Sequence, residues 1–330
     1  MRRTRSVRRR TAWGSAIGAA ALTATAVVGA PAATAVTGEP PLRVIASGFA
    51  GPLHVAFGPG DSLYVSDAFA GNLDRVDLST GATKVVAALG EFVAGVDVGE
   101  HGKVYVVGSV AAGDGVPQAP THLLQIGRRG HVSLKADLLA YELAHNPDGQ
   151  SLQAPDAQSN PYSVLAVDDK LYVADAGAND ILEIRADGRI RTVVALPVIT
   201  TGACAGRTNN DPAHAGCDPV PTDLEMGDDG YLYVSGLGAE VEGHIYKINP
   251  RTGRIVATWG QLPPLTGIAV SHDGTIYAAS LFTDTVFRFR HGVVTTAFVP
   301  APTDVEWGHG GLVAGSLSGN VFAVSQGAFS

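Results

Sequence analysis

One short pattern recurs along the chain: an apolar strand, a turn containing Gly or Asp, and a second strand with Tyr or another apolar residue at its centre. Two clear copies are residues 55–57 followed by 63–67, and residues 164–167 followed by 171–175. The central residues of the six copies are Tyr64, Tyr105, Tyr172, Tyr233, Tyr277 and Val313, spaced by 41, 67, 61, 44 and 36 residues. The shorter spacings match one four-stranded blade of about 40–45 residues. The pattern therefore predicts an all-β fold, a six-bladed β-propeller, with the Tyr side chains packed between blades.

The two ends of the repeat complete each other. The sixth copy has a third strand at residues 321–324 and no fourth, whereas residues 42–46 form a strand before the first copy. If this N-terminal strand is the outer strand of the last blade, the ring closes and no blade lacks a strand. An open β-solenoid is the alternative, and it leaves both observations unexplained. We predict the closed ring.

The N-terminus has the features of an export signal. Residues 1–35 hold six Arg and no Asp, Glu or Lys, then an uncharged stretch that ends in Ala33-Thr34-Ala35. A basic head, an apolar middle and a small-residue exit predict a signal peptide over residues 1–35, with an uncleaved membrane anchor as the alternative. Residues 36–330 then form one secreted or extracytoplasmic propeller domain, with no membrane span after cleavage. They carry 17 basic and 31 acidic residues, which argues against nucleic acid as a partner.

Two insertions lengthen the repeat, at residues 137–160 and 197–221. The first contains a predicted short helix over residues 137–144, before Asn146-Pro147. The second contains the only two cysteines, Cys204 and Cys217. Export permits a disulfide between them, and the absence of a Cys-x-x-Cys spacing disfavours the alternative of a metal site. Both insertions join an outer strand to the next inner strand, so we expect them over the channel mouth.

Polar residues at equivalent places in the repeat should meet at the central channel. His54, Ser163, Asp223 and Asp304 stand at the starts of inner strands. We assign His54 and Asp223 as candidate catalytic residues. The candidate ligand-binding residues are Asp97, Asn160, Tyr162, Asp175, Asn179 and Asp304. The alternative for each Asp or Asn is a structural role, in which it bonds local N–H groups of the turns.

Carboxylates and an imidazole around a channel suit acid–base chemistry or a cation. No His-x-x-x-His pair is present, which disfavours zinc. We therefore expect no resident cofactor or metal, with a divalent cation such as calcium as the open alternative.

A longer phrase in the middle of the chain is more distinctive than the repeat. It runs Asp137-Leu138-Leu139-Ala140-Tyr141-Glu142, then Asn146-Pro147-Asp148-Gly149, Ser159-Asn160-Pro161-Tyr162 and Ala174-Asp175-Ala176-Gly177-Ala178-Asn179-Asp180. This phrase resembles the ScyD/ScyE family of exported, NHL-like propellers, and the resemblance covers about residues 42–325. It implies export, a six-bladed fold and service in small-molecule metabolism, without fixing a reaction.

The chain is also similar to the calcium-dependent gluconolactonase propellers. Their first blade supplies a metal ligand from Glu-Gly-Pro, where this chain has Ala50-Gly51-Pro52. Their later Pro-Asp-Gly motif is matched, one position displaced, by Pro221-Thr222-Asp223. The resemblance implies lactonase chemistry, while the departures remove part of its ligand set.

Two functions follow. The first is a secreted propeller that binds a small molecule, a peptide or a wall polymer at the channel mouth, in secondary metabolism or the cell envelope. The alternative is a hydrolase or lyase-like enzyme that uses the His and Asp cluster. No nucleophile elbow or oxyanion motif is recognisable, which favours the first.

Overall fold

The computed structural model describes residues 40–109, 120–152, 158–209, 211–309 and 311–330. The predicted signal peptide, residues 1–35, lies outside the described residues. The first twelve strands are β1 (Leu42–Ser47), β2 (Pro52–Gly58), β3 (Ser62–Asp67), β4 (Asn72–Asp77), β5 (Thr83–Ala88), β6 (Phe92–Gly99), β7 (Lys103–Ser109), β8 (Thr121–Ile126), β9 (Val132–Asp137), β10 (Pro161–Val167), β11 (Lys170–Asp175) and β12 (Asp180–Arg185). The next twelve are β13 (Ile190–Ala195), β14 (Pro221–Met226), β15 (Leu232–Gly236), β16 (Gly243–Ile248), β17 (Ile255–Leu262), β18 (Gly267–Val270), β19 (Ile276–Ser280), β20 (Thr285–Arg290), β21 (Val293–Phe298), β22 (Pro302–Gly308), β23 (Gly311–Ser316) and β24 (Asn320–Val324).

These strands form six antiparallel sheets of four strands each. The first five blades are β2–β5, β6–β9, β10–β13, β14–β17 and β18–β21, and each begins with its innermost strand. Short polar turns that contain Gly join neighbouring strands. In the turn between β12 and β13, for example, Gly188 has a positive φ of 81°. The six-bladed propeller that the repeat predicts is confirmed.

The sixth blade combines both ends of the chain. Its strand order is β22–β23–β24–β1, and β1 pairs antiparallel with β24 from Leu42 opposite Val324 to Ser47 opposite Asn320. The predicted closure by the N-terminal strand is therefore confirmed, with the strand one residue longer than expected.

The apolar core lies between blades. Tyr172 of β11 is buried and packs with Leu224 and Val234 of the fourth blade. Tyr105 of β7 is likewise buried with Val164 and Val173 of the third blade. These contacts confirm the structural interpretation of the repeated Tyr residues, since their rings fill the interfaces between blades.

The two insertions contain the remaining regular structure. Helix α1 (Leu138–His145) begins after Asp137, whose side chain accepts a hydrogen bond from the N–H of Ala140 at 2.9 Å. Short 3-10 helices occupy Glu100–Gly102, Arg128–Gly130, Gly202–Cys204, Leu281–Thr283 and Gln326–Ala328. Within the described residues, no helix is long and apolar enough to cross a membrane.

The predicted disulfide is confirmed. Cys204 and Cys217 are bonded, and both are buried beside Ile199. Ile199 and Cys217 also exchange two backbone hydrogen bonds of 2.9 Å each. The bond thus links two parts of the second insertion to each other, close to the start of β14.

Deleting residues 42–47 should open the ring. The deletion leaves the outer edge of β24 without a partner, and an exposed edge pairs with other chains. We expect the variant to form soluble aggregates in light scattering, whereas a chain that starts at residue 38 and keeps β1 should remain monodisperse. A deletion variant that melts and scatters like the parent would contradict this role of β1.

Replacing both cysteines by Ala should lower the free energy of unfolding by about 3 kcal/mol, because a closed loop of roughly 15 residues constrains the unfolded chain by that amount. Denaturant unfolding would measure the loss. The reductant dithiothreitol should destabilise the parent and leave the double variant unchanged. Equal stability of the two proteins without reductant would rule out a stabilising bond.

Candidate functional site

The six inner strands meet at a constriction that we call the neck. It consists of one residue from each inner strand: His54, Gly95, Ser163, Asp223, Gly267 and Asp304. Four of them are the third residue of their strand. The structure therefore brings His54, Asp223 and Asp304 together, as the repeat alignment predicts, with one donor atom of each inside a group no more than 4.8 Å across.

Backbone irregularities aim these side chains. The register shifts between the first and third residues of β10, β14 and β22, and a similar shift lies at the start of β2 and β6. A β-bulge of this kind bends the strand and redirects one side chain. The first residue of β2, β10, β14 and β22 is Pro, which suits a strand start because it has no N–H to donate to the ladder.

Two positions of the neck have no room for a side chain. A Cβ at Gly95 would lie 2.7 Å from the Cα of Ser163, and a Cβ at Gly267 would lie 2.6 Å from the Cα of Asp304. Glycine at these positions lets neighbouring inner strands approach closely. The polar side chains of the neck are thereby held near one another.

His54 presents an unpartnered nitrogen to the neck. Its Nδ1 lies 3.0 Å from the carbonyl oxygen of Ala94, which only accepts, so Nδ1 carries the proton. In the neutral ring Nε2 is then a lone-pair acceptor. This Nε2 is buried, has no hydrogen-bond partner, and lies 3.7 Å from Oδ1 of Asp223. Two acceptors facing each other at this distance favour a proton or a cation between them.

The carboxylates of the neck also hold neighbouring blades together. Asp223 accepts from the N–H of Ile268 at 2.8 Å and from the hydroxyl of Ser163 at 2.6 Å. Asp304 accepts from the N–H of Val55 at 2.9 Å and from its neighbour Val305 at 2.7 Å. Each carboxylate therefore bridges its own strand and the inner strand of another blade.

A third bridge lies deeper in the channel. Asp97 accepts from the N–H of Ala166 in the next blade and from Val98, both at 2.6 Å. Glu225 and Glu306 lie two residues beyond Asp223 and Asp304 and face the same space. Together these groups line a cavity of about 380 Å³ that extends from His54 to Asp168. None of its described lining residues is Lys or Arg.

Burial and mutual repulsion raise the pKa of these acids. Burial raises the pKa of Asp97 to about 6, and burial together with Asp97 raises that of Glu225 to about 8. The pKa of Glu306 is raised well above its usual value by burial, then by Glu225 and Asp97. The pKa of Asp304 is likewise raised by burial and by Asp223. The channel therefore holds more carboxyl groups than it can ionise together without a compensating cation.

Tyr162 borders the neck, and three other predicted residues lie elsewhere. The ring of Tyr162 meets that of His54 edge-on at 5.4 Å, and burial, Asp304 and Asp223 raise its pKa to about 12. Asn160, Asp175 and Asn179 do not line the cavity. Asp175 accepts hydrogen bonds from the backbone of Asn160, Gly177 and Ala178, so it organises a turn.

Asn179 joins the two insertions. Its side-chain oxygen accepts from the N–H of Val220 at 3.1 Å, and its amide donates to Asp148 at 3.1 Å. Residue spacing places Asp175 and Asn179 correctly at the end of β11 and before β12. For Asp175 these backbone contacts match the structural alternative, in which an Asp or Asn bonds N–H groups of the turns.

Comparisons with known proteins support the fold. No family model matches the chain, and no curated protein does. A gluconolactonase from Xanthomonas campestris is 13% identical over 86% of this chain and 88% of its own, with a TM-score of 0.57. A virginiamycin B lyase from Staphylococcus aureus is 14% identical over 87% and 86%, with a TM-score of 0.53.

An aldose sugar dehydrogenase from Streptomyces coelicolor, solved with PQQ bound, is a third structural neighbour. It is 15% identical over 85% of this chain and 95% of its own, with a TM-score of 0.56. Propellers with lactonase, lyase and oxidoreductase names thus share this fold. At such identities the likeness concerns the fold alone.

The variant Asp304→Asn should destabilise the ring. Asn keeps one acceptor oxygen, so the N–H of Val55 or of Val305 loses its partner, at a cost of about 1–3 kcal/mol. Denaturant unfolding would measure it. The matched control is Glu306→Gln, two residues along the same strand, which leaves both of those hydrogen bonds in place. Equal losses in the two variants would contradict the bridging role.

Proposed function

We propose that the chain is a secreted binding protein whose channel takes a small polar ligand together with a divalent cation held at the neck. The observation that carries the proposal is the buried, unpartnered Nε2 of His54, which faces Asp223 and lies in one group with Asp304. An orphaned acceptor beside two carboxylates is a site for positive charge.

The negative charge of the cavity supports a ligand that is itself a cation or that binds together with a cation. Asp97, Asp223, Glu225, Asp304 and Glu306 all border it. Positive charge would relieve the mutual repulsion that raises the pKa values of Glu225, Asp304 and Glu306. A cavity of about 380 Å³ has the size of a small-molecule site, whose range begins at roughly 300 Å³.

The donor set at the neck fits a cation. His54 would contribute Nε2, while Asp223 and Asp304 would each contribute a carboxylate oxygen. Such a cation would polarise a carbonyl or hydroxyl group of the ligand. Neighbouring backbone groups hold the three donor side chains in place. The carbonyl of Ala94 fixes the His54 ring, and the backbone N–H groups of Ile268 and Val55 fix the carboxylates of Asp223 and Asp304.

The resemblance to the ScyD/ScyE family extends this proposal. That family implies export and service in small-molecule metabolism, and the disulfide between Cys204 and Cys217 fits an oxidising compartment. We propose that the ligand is a product or precursor of such metabolism outside the cytoplasm.

A lactonase-type hydrolase or a lyase is the second candidate. The proton on Nδ1 leaves Nε2 of His54 able to accept a proton, as a general base requires. The gluconolactonase and lyase names among the structural neighbours make lactones and cyclic esters the first compounds to screen. Turnover that disappears in His54→Asn would favour the enzyme over the binding protein.

Calcium and manganese titrations test the neck. His54→Asn retains an amide that can donate to Ala94 but lacks the Nε2 lone pair, so cation affinity should fall at least tenfold, about 1.4 kcal/mol. Isothermal titration of metal-free protein would measure it. Asn160→Ala, outside the cavity, should bind as the parent does. Unchanged affinity in both His54→Asn and Asp223→Asn would remove the cation from the neck.

A further inference from the structure

Two buried acids outside the channel have oxygens that bond to nothing. Asp180 begins β12 and is 0% exposed, and neither of its carboxylate oxygens has a hydrogen-bond partner, although the nearby Thr192 hydroxyl lowers its pKa. Glu142 of α1 is 2% exposed, and its Oε1 is also unpartnered. Buried acceptors in this state are costly, so each requires a proton or a ligand.

The first insertion brings these acids together. The hydroxyl of Tyr141 in α1 bonds the hydroxyl of Thr192 in β13 and accepts from the backbone N–H of Thr192, at 3.0 Å each. Asp180 pairs with Ala195 at the end of the same strand. The helix is thus fastened to the third blade beside Asp180. Glu142 is the next residue of the helix after Tyr141.

Asn146 adds a third oxygen. It follows α1 in a left-handed conformation with a φ of 42°, and its amide nitrogen donates to the carbonyl of Gln150 at 2.9 Å. Its Oδ1 is buried and unpartnered. The unpartnered oxygens of this segment therefore belong to two carboxylates and one amide carbonyl.

Neighbouring carboxylates make the segment more negative. Asp148 is bonded by Gln150 and Asn179, and Asp175 by Ser159 and three backbone N–H groups. None of the ion pairs formed by the described residues involves Glu142 or Asp180. Burial, Asp175 and Asp148 raise the pKa of Glu142 to about 8, and burial with Asp175 and Glu142 raises that of Asp180 well above its usual value.

We propose that Asp180, Glu142 and Asn146 form a calcium site that fastens the first insertion to the third blade. Only oxygen donors are present, and calcium accepts carboxylate and amide oxygens in flexible arrangements, with backbone carbonyls or water completing the shell. Asn146 lies one helical turn after Glu142, since its backbone N–H donates to the carbonyl of Glu142 at 2.7 Å, so its amide oxygen can join the two carboxylates as a third donor.

This site shares no residue with the neck, and its donor atoms are of a different kind. The neck includes the imidazole of His54, whereas the insertion site has oxygen donors alone. Its role is structural, because the residues that it joins are a helix and a blade and do not line the cavity. The proposal therefore stands or falls without the proposed function of the channel.

Calcium binding to the purified protein tests the proposal. After treatment with EGTA, calcium is added while heat of binding and melting temperature are recorded. We expect calcium to raise the melting temperature of the parent. Asp180→Asn and Glu142→Gln should lose that rise and at least tenfold in affinity for this site. In EGTA, Asp180→Asn should melt no lower than the parent, because it replaces a buried, unpartnered carboxyl group by a neutral group of the same size.

Two controls separate the alternatives. Asp187→Asn removes an exposed carboxylate in the turn that follows β12, and this variant should behave as the parent does. His54→Asn should lose binding at the neck and keep the calcium-dependent rise in melting temperature. If Asp180→Asn fails to fold, Glu142→Gln, which alters the insertion and no blade strand, decides the question alone.

Three outcomes would overturn the site. The first is a parent whose melting temperature does not respond to calcium. The second is a response that both Asp180→Asn and Glu142→Gln retain. The third is a response abolished by His54→Asn alone, which would assign all calcium binding to the neck and leave Glu142 and Asp180 as protonated acids.

Discussion

The innermost strand of each blade has one edge without a neighbouring strand, and the structure depends on how that edge is satisfied. Backbone N–H and C=O groups buried at the axis need partners. Side chains of adjacent blades supply them. Hydroxyl groups of Thr222, Thr266 and Thr303 donate to carbonyls of Leu265, Pro302 and Pro52, and carboxylates accept from the N–H groups of Ala166, Ile268 and Val55.

The same bridges concentrate negative charge where six strands converge. An Asp that accepts two N–H groups is well suited to hold blades together, yet three such residues and two Glu face one cavity. For Asp97 and Asp304, backbone hydrogen bonds lower the pKa and burial raises it, and burial is the larger effect. A site for positive charge is thus a consequence of the way in which the ring is held together.

Much of this architecture is predictable from the sequence because it is periodic. Blade number, the closing strand and the meeting of His54, Asp223 and Asp304 all follow from aligning six copies of one pattern. The hydrogen-bond partners of Asp175 and Asn179 are harder to predict from the sequence. Their places in the turns were predicted, but which N–H groups they engage depends on the local path of the backbone and of the insertions.

The pair Glu142 and Asp180 shows most clearly what the sequence pattern cannot predict. Both residues lie in the distinctive middle phrase, but Asp180 begins a blade strand whereas Glu142 belongs to the first insertion and has no counterpart in the other blades. Their proximity arises because α1 packs against β13, a contact between Tyr141 and Thr192 that has no periodic counterpart. Spacing along the chain cannot indicate that two carboxylates will be buried together without partners.

The pairing of Leu42 with Val324 has a kinetic consequence. Almost the whole described chain lies between the two strands, so their hydrogen bonds form at the lowest entropic cost after the other five blades have brought the ends together. The entropy of closing so long a loop must be overcome before the contact contributes anything, and pairings between residues distant in sequence slow folding. We therefore expect the sixth blade to be the last to form, so that its assembly sets the time the molecule takes to reach its native state.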